Sequence, residues 1–328
     1  MTLNNDLDKI IEDEFEKAFE ILKEIIEYIK RKYGIDYKIP ELEILGGRHS
    51  FAAGYSKSEN KIIFFKETIK MAINNYLKYL SYKEKNKRSI DKLLKRLDYK
   101  KIIGSRQNSI KYLEYTEFFE GKINLFKKYI EVVNKLLKSL GYKEIKGIEY
   151  LNRSHNSILL FPFYVNKRNI REVIAEVIIF LAIFHEIWHS IDDSILDKLK
   201  EDPTIKDRDY LIAILNNLNN RELRASVFEV VMYYLDKGVR GYMAAYVNVL
   251  TCRKYIEKID IMKRNIYMNI RVPFDLGRCY GNIIVAKYRS SLKENIYKII
   301  DDIIYLDKEK AIEAIKYYGD NPDKLLQD

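Results

Sequence analysis

The stretch Val173-Ile-Ala-Glu-Val-Ile-Ile-Phe-Leu-Ala-Ile-Phe184 runs directly into His185-Glu186-Ile187-Trp188-His189, and its reading decides the fold. The approach is almost wholly apolar, which makes this a helix buried in a core rather than one lying on a surface. Two imidazoles at i and i+4 share one helical face with Cβ atoms about 6 Å apart, close enough to hold one metal ion. Borderline-soft Zn²⁺ suits such nitrogen donors. Glu186 follows the first histidine, so it stands beside the metal. There it can accept a proton from a metal-activated water and pass it to a leaving amine.

The five-residue pattern alone is common. Here, however, the chain has 4 histidines in 328 residues, and two of them form the motif. In a buried helix each unsatisfied polar group costs about 1–3 kcal/mol, so these side chains need partners. The plainer reading is a pair of core histidines hydrogen-bonded to neighbours.

A catalytic zinc needs a third protein ligand and an open position. A short solution would place that ligand six residues after His189, where this chain has Ile195. The other solution is a carboxylate from a later helix. Leu211, Leu215, Leu218, Glu222, Ala225, Glu229 and Met232 fall on one helical stripe, which carries two glutamates along a face that otherwise reads as core. Inward carboxylates of this kind need a cation, a hydrogen-bond network or a proton. Either Glu222 or Glu229 meets the requirement, and small Ala225 allows close approach to the motif helix.

His185-Glu186-Ile-Trp-His189 followed after 32 residues by Glu222-Leu-Arg-Ala225 resembles the gluzincins, zinc metallopeptidases with an HExxH motif and a distal ExxA glutamate. The resemblance implies Zn²⁺ held by His185, His189 and Glu222 in preference to Glu229. It further implies Glu186 as general base, a zinc-bound water as nucleophile, and a peptide or protein substrate. It also implies a zincin-like core whose antiparallel edge strand binds extended substrate, and Phe51–Phe65 is similar to that hairpin. The likeness covers roughly residues 40–66 and 170–235. Ser226 departs from it by standing where many members carry an Asp that supports a ligand histidine.

Composition sets the frame. With 13 Gly and 5 Pro the chain has little capacity for long linkers, and helix should dominate. The expected class is α+β, predominantly helical, with a small antiparallel sheet or hairpin and a large helical insertion. Residues 6–33 show helical spacing broken at Gly34. Tyr37 to Leu45 reads as β-flavoured, and Ser50–Tyr55 and Lys61–Phe65 flank a polar connection like a hairpin. Helical segments near 68–82, 88–98 and 108–140 follow, then a strand at Ser157–Val165. Later helices are expected over about 169–191, 209–237, 239–263, 275–300 and 307–318, with a polar stretch at 192–208. Four regions result: 1–66, the insertion 67–168, the metal-binding helices 169–237, and a C-terminal helical region 238–328.

The formal net charge is +10, concentrated around 83–101 with Lys92, Lys95 and Arg96 at its centre. Such a field attracts nucleic acid, anionic membranes or acidic substrates, although a solvated lysine-rich helix face accounts for it as well. Nucleic-acid association, with the zincin-like core as a regulatory or structural module, is therefore the rival function. A metal-free helical scaffold is a third.

Cys252 and Cys279 are too few for a disulfide framework and read as buried thiols in a reducing, cytoplasmic setting. No signal peptide or transmembrane segment is expected. Other polar candidates are weaker. His49 and His155 could reach the cleft but read more simply as surface or capped histidines, Asp192 and Asp193 could hydrogen-bond a ligand histidine but read as a solvated helix end, and Trp188 reads as core. Arg278-Cys-Tyr280-Gly281 is a mild candidate for the polar group that stabilises the oxyanion, because Gly281 suggests close backbone approach, but a packing glycine is the plainer account.

Overall fold

A computed structural model describes residues 3–74, 170–237, 249, 252, 266–288, 291–321 and 324–325. Helix α1 (Leu3–Tyr33) turns one apolar stripe inward, burying Leu7, Ile11, Leu22, Ile25 and Ile29. It stops where Gly34 adopts φ 64, a left-handed conformation that glycine enters without a Cβ penalty. Lys30, Arg31 and Lys32 in its last turn complement the helix dipole.

Three short strands follow: β1 (Glu41–Leu45), β2 (Ala53–Ser56) and β3 (Lys61–Phe65). The sheet order is β1-β3-β2. Strands β2 and β3 form the expected antiparallel hairpin, with Ala53 opposite Phe64 and Ser56 opposite Lys61. Its turn passes through Asn60, whose left-handed φ of 50 suits asparagine. The free edge of β3 takes up β1 in parallel, so the sheet is mixed rather than wholly antiparallel. Ile62 and Phe64 of β3 point into the core, as the period-2 alternation of a strand requires.

The body of the protein is helical. Helix α2 (Ile170–Glu201) lies at its centre, against α1, α4 (Leu218–Lys237), α3 (Arg208–Asn216) and strand β2. Ile179, Phe180, Ile183, Phe184, Ile187, Trp188, Ile191 and Ile195 are all buried, which explains the nearly unbroken apolar run. Beyond α4 come α5 (Ile266–Tyr288), α6 (Ile296–Ile304) and α7 (Lys308–Asp320). Asp307 caps α7 by accepting from the Lys310 N–H, one of the orphan donors at a helix start. The fold is thus predominantly helical α+β, with one small sheet among the described residues.

Three boundaries differ from the sequence reading. Helix α2 continues to Glu201 instead of ending near 191, because its polar residues Asp192 and Asp193 are themselves buried and paired with arginines of α4. The stretch 209–237 divides at Asn217, which is extended, and the break turns Leu218 off the core stripe, leaving it 73% exposed. The stretch 275–300 likewise divides into α5 and α6. Cys252 and Cys279 are joined in a disulfide rather than being free thiols, a pairing that a spacing of 27 residues does not reveal. The insertion beyond residue 74, the strand at 157–165, the basic segment 83–101 and His155 lie outside the described residues, as does nearly all of the helix expected at 239–263. Among the described residues no helix is long and apolar enough to cross a membrane.

Among the described residues, helices α4 and α5 form the most extensive pairing, so the C-terminal region packs directly on the helix that carries Glu222 and Glu229. Two glycines permit it. A Cβ at Gly277 would lie 2.3 Å from the Leu223 carbonyl oxygen, and one at Gly281 would lie 2.8 Å from Val230 Cβ. Gly277→Ala gains about 1 kcal/mol of helix propensity but drives a methyl into backbone, an overpacking cost of about 1–3 kcal/mol or more. A net loss in thermal or denaturant stability is expected for Gly277→Ala. Unchanged stability would show that α5 can slide off α4 freely.

Candidate metal centre

Three helices build the site. Helix α2 contributes His185, Glu186 and His189, α4 contributes Glu222 and Glu229, and α5 contributes Phe274 and Arg278. One ligand atom from each of His185, His189 and Glu222 lies within 4.8 Å of the others. Glu222 faces both rings: Oε2 is 3.1 Å from His185 Nε2 and Oε1 is 3.5 Å from His189 Nε2. Donors around a tetrahedral ion with bonds of ~2.0–2.1 Å stand roughly 3.3–3.4 Å apart. The two Glu222–imidazole separations are close to that spacing, and two nitrogens with one carboxylate form a donor set that could hold a metal ion such as zinc.

Glu229 has a different position from Glu222. Its Oε2 is 3.1 Å from His185 Nδ1, on the far side of the ring from the ligand atom. Its Oε1 accepts from Arg278 Nε at 2.6 Å. The choice between the two glutamates, open on helical phase alone, resolves into two places: Glu222 at the convergence of the imidazoles, Glu229 behind His185. Ser226 is fully buried with its Cβ beside Gly277, and among the described residues its hydroxyl has no hydrogen-bond partner. Glu229, three residues further along α4, is the carboxylate that meets His185 Nδ1.

The charges follow from this geometry. Burial opposes charge on His185, but the Glu222 and Glu229 carboxylates outweigh it and raise the imidazole to about 10. Burial likewise disfavours ionised Glu222, yet His185 and His189 hold it well below the ordinary carboxylate range. Buried Glu229 is also held low, chiefly by the Arg278 charge and His185. Glu186, itself buried, adds to the negative field at His185. A proton on His185 or a metal cation answers this excess of carboxylates, and metal binding releases the proton.

Phe274 stacks on His185 with ring centroids 5.1 Å apart and planes within 9°. Phe274 does not stand out in the sequence as part of the site, and Arg278 enters only as part of the Arg278-Cys-Tyr280-Gly281 stretch. The available signal is their i, i+4 spacing on a helix whose Gly277 and Gly281 mark close approach to α4.

Asp192 and Asp193 are not solvated. Asp192 pairs with Arg224 at 2.8 Å, both side chains essentially inaccessible, and Asp193 pairs with Arg221 at 3.0 Å. Lys57, from the β2–β3 turn, reaches Asp193 at 3.8 Å and Asp197 at 2.7 Å. Asp192 and Asp193 thus tie α2 to α4 and to the sheet; neither is the partner of a ligand histidine. Trp188 is core, against Phe228 at 4.5 Å. His49 stacks on Phe65 in the loop between β1 and β2, and the site does not include it.

Arg224 and Asp192 hold α2 and α4 in register. Removing one member strands a buried charge, at a cost of about 3–5 kcal/mol. Arg224→Met is expected to lower denaturation stability by that order, and Arg224→Met/Asp192→Leu to recover much of it. A single variant as stable as wild type would show the pair to be dispensable.

No family model, curated protein or solved structure matches the chain, so the chemistry of the site is argued from its own side chains.

Proposed function

We propose that the chain is a zinc-dependent metallopeptidase of gluzincin type, with His185, His189 and Glu222 as metal ligands and Glu186 as the proton-transfer group. The observation that carries this reading is the convergence of Glu222 on both imidazoles. The carboxylate comes from a separate helix, and each oxygen faces a different Nε2 atom, at 3.1 and 3.5 Å. Two hydrogen-bonded core histidines would not require a single acid to face both rings.

When bound, zinc supplies Lewis-acid polarisation of a carbonyl and makes water nucleophilic near neutral pH. The protein's own groups do the rest. Glu186 takes a proton from the attacking water as the C–O bond forms, then delivers it to the amine as the C–N bond breaks. The buried surroundings of Glu186 strengthen electrostatic interactions with the charge that develops there.

The sheet supports a peptide substrate in particular. Strand β2 is an edge strand lying against α2, and the Tyr37 hydroxyl is hydrogen-bonded to Ser190 Oγ at 2.8 Å, fastening the sheet side to the motif helix. An extended peptide can add to such an edge through main-chain hydrogen bonds, placing a scissile amide beside the motif. The nucleic-acid-associated reading draws on residues 83–101, which lie outside the described residues.

Elemental analysis of the purified protein is expected to give one zinc per chain, lost in His189→Ala. Glu186→Gln should keep the zinc while hydrolysis of an unfolded protein such as casein falls by about 10²–10⁴-fold. Turnover retained in Glu186→Gln would remove that residue from its role. Absence of stoichiometric zinc in wild type would remove the metal centre itself.

A further inference from the structure

We infer that Arg278 and Glu229 act as one positioning relay for His185, in which helix α5 aims the imidazole at the metal through a carboxylate on α4. The inference rests on the metal reading of His185, His189 and Glu222, and is independent of peptide hydrolysis.

The contacts are sequential and involve different atoms at each step. Arg278 Nε donates to Glu229 Oε1 at 2.6 Å, Glu229 Oε2 meets His185 Nδ1 at 3.1 Å, and His185 Nε2 faces Glu222. A carboxylate accepting from Nδ1–H fixes the tautomer that leaves Nε2 as the ligand atom, and it raises the ring's donor strength. Glu229 is 2% exposed and would be costly there without a cation, which Arg278 supplies.

A second contact from the same helix bears on the same ring. Phe274 stands one turn before Arg278 and stacks on the His185 plane, restricting rotation that a hydrogen bond alone permits. Close approach at Gly277, between these two residues, lets α5 reach the ring at all. His189 lacks the same support, since its buried Nδ1 has no hydrogen-bond partner among the described residues. The two ligand histidines are therefore unequal, and α5 controls the first.

The test is titration with Zn²⁺ against a chromophoric chelator, together with the visible spectrum of the Co²⁺-substituted protein, for full-length wild type and variants. Glu229→Gln and Arg278→Met are each expected to weaken Zn²⁺ binding by about 10–100-fold and to shift the Co²⁺ bands. Arg278→Lys, which keeps the charge, should recover part of the loss. Arg278→Met risks misfolding because it strands a buried carboxylate. Arg278→Met/Glu229→Gln avoids that hazard and should lose no more affinity than the weaker-binding single variant, because the two groups form one relay.

Folded variants with wild-type affinity and an unaltered Co²⁺ spectrum would overturn the inference while leaving the metal centre standing. Losses that multiply in the double variant would also overturn it, since the residues would then act separately. Wild-type protein that takes up neither ion would overturn the metal centre and the relay together.

Discussion

The dominant constraint on this molecule is electrostatic: carboxylates and imidazoles are packed at the contact of two apolar helices, where unpaired charge is costly. Glu186, Glu222 and Glu229 surround His185, with Glu222 at its Nε2 and Glu229 at its Nδ1, and Asp192 and Asp193 lie buried a turn or two further along α2. Each acidic group in the second set has an arginine from α4, Arg224 or Arg221. Glu229 has Arg278 from α5. Glu222 has the two imidazoles in place of a lysine or arginine. Salt bridges neutralise the flanks, and the centre is left to a proton or a dication.

This distribution of charge also organises the packing. Helix α2 can be apolar almost all round because its polar positions are concentrated where α4 meets it. Helix α4 can carry Arg221, Glu222, Arg224 and Glu229 inward because α2 and α5 each present the complementary group. Arg224 with Asp192, and Arg221 with Asp193, are spaced along the interface like pins, so α4 cannot rotate or slide without unpairing several buried charges at once. That rigidity is what a metal site needs, since ligands from different helices must hold their separation without support from a loop.

Most of this was legible in the sequence wherever a signal was local, and illegible where it required a third element. The motif helix, the inward glutamate stripe, the hairpin at 53–65 and the glycine stop at Gly34 each follow from periodicity or from one residue's conformational freedom. The extent of α2 was misread because Asp192 and Asp193 look solvated until Arg221 and Arg224 are seen opposite them. Leu218 was misplaced because a single extended residue, Asn217, resets helical phase without any proline or glycine to announce it. The disulfide and the roles of Phe274 and Arg278 depend on how α5 docks, and docking leaves only the indirect trace of two glycines four residues apart.

The division between Glu222 and Glu229 shows how that third element enters the chemistry. Seven residues of helix separate them, about 10.5 Å of rise, yet both reach one imidazole because the ring lies between their turns with its nitrogens pointing opposite ways. On the stripe between the two glutamates stands Ala225, whose methyl leaves space that a larger side chain would fill. A histidine held from both ends by the same helix would be balanced between two identical acids, and either nitrogen could serve as ligand. Arg278 breaks that symmetry by committing Glu229 to a second partner. Among the described residues Glu222 keeps the only carboxylate that faces both Nε2 atoms, and the geometry of the centre becomes single-valued.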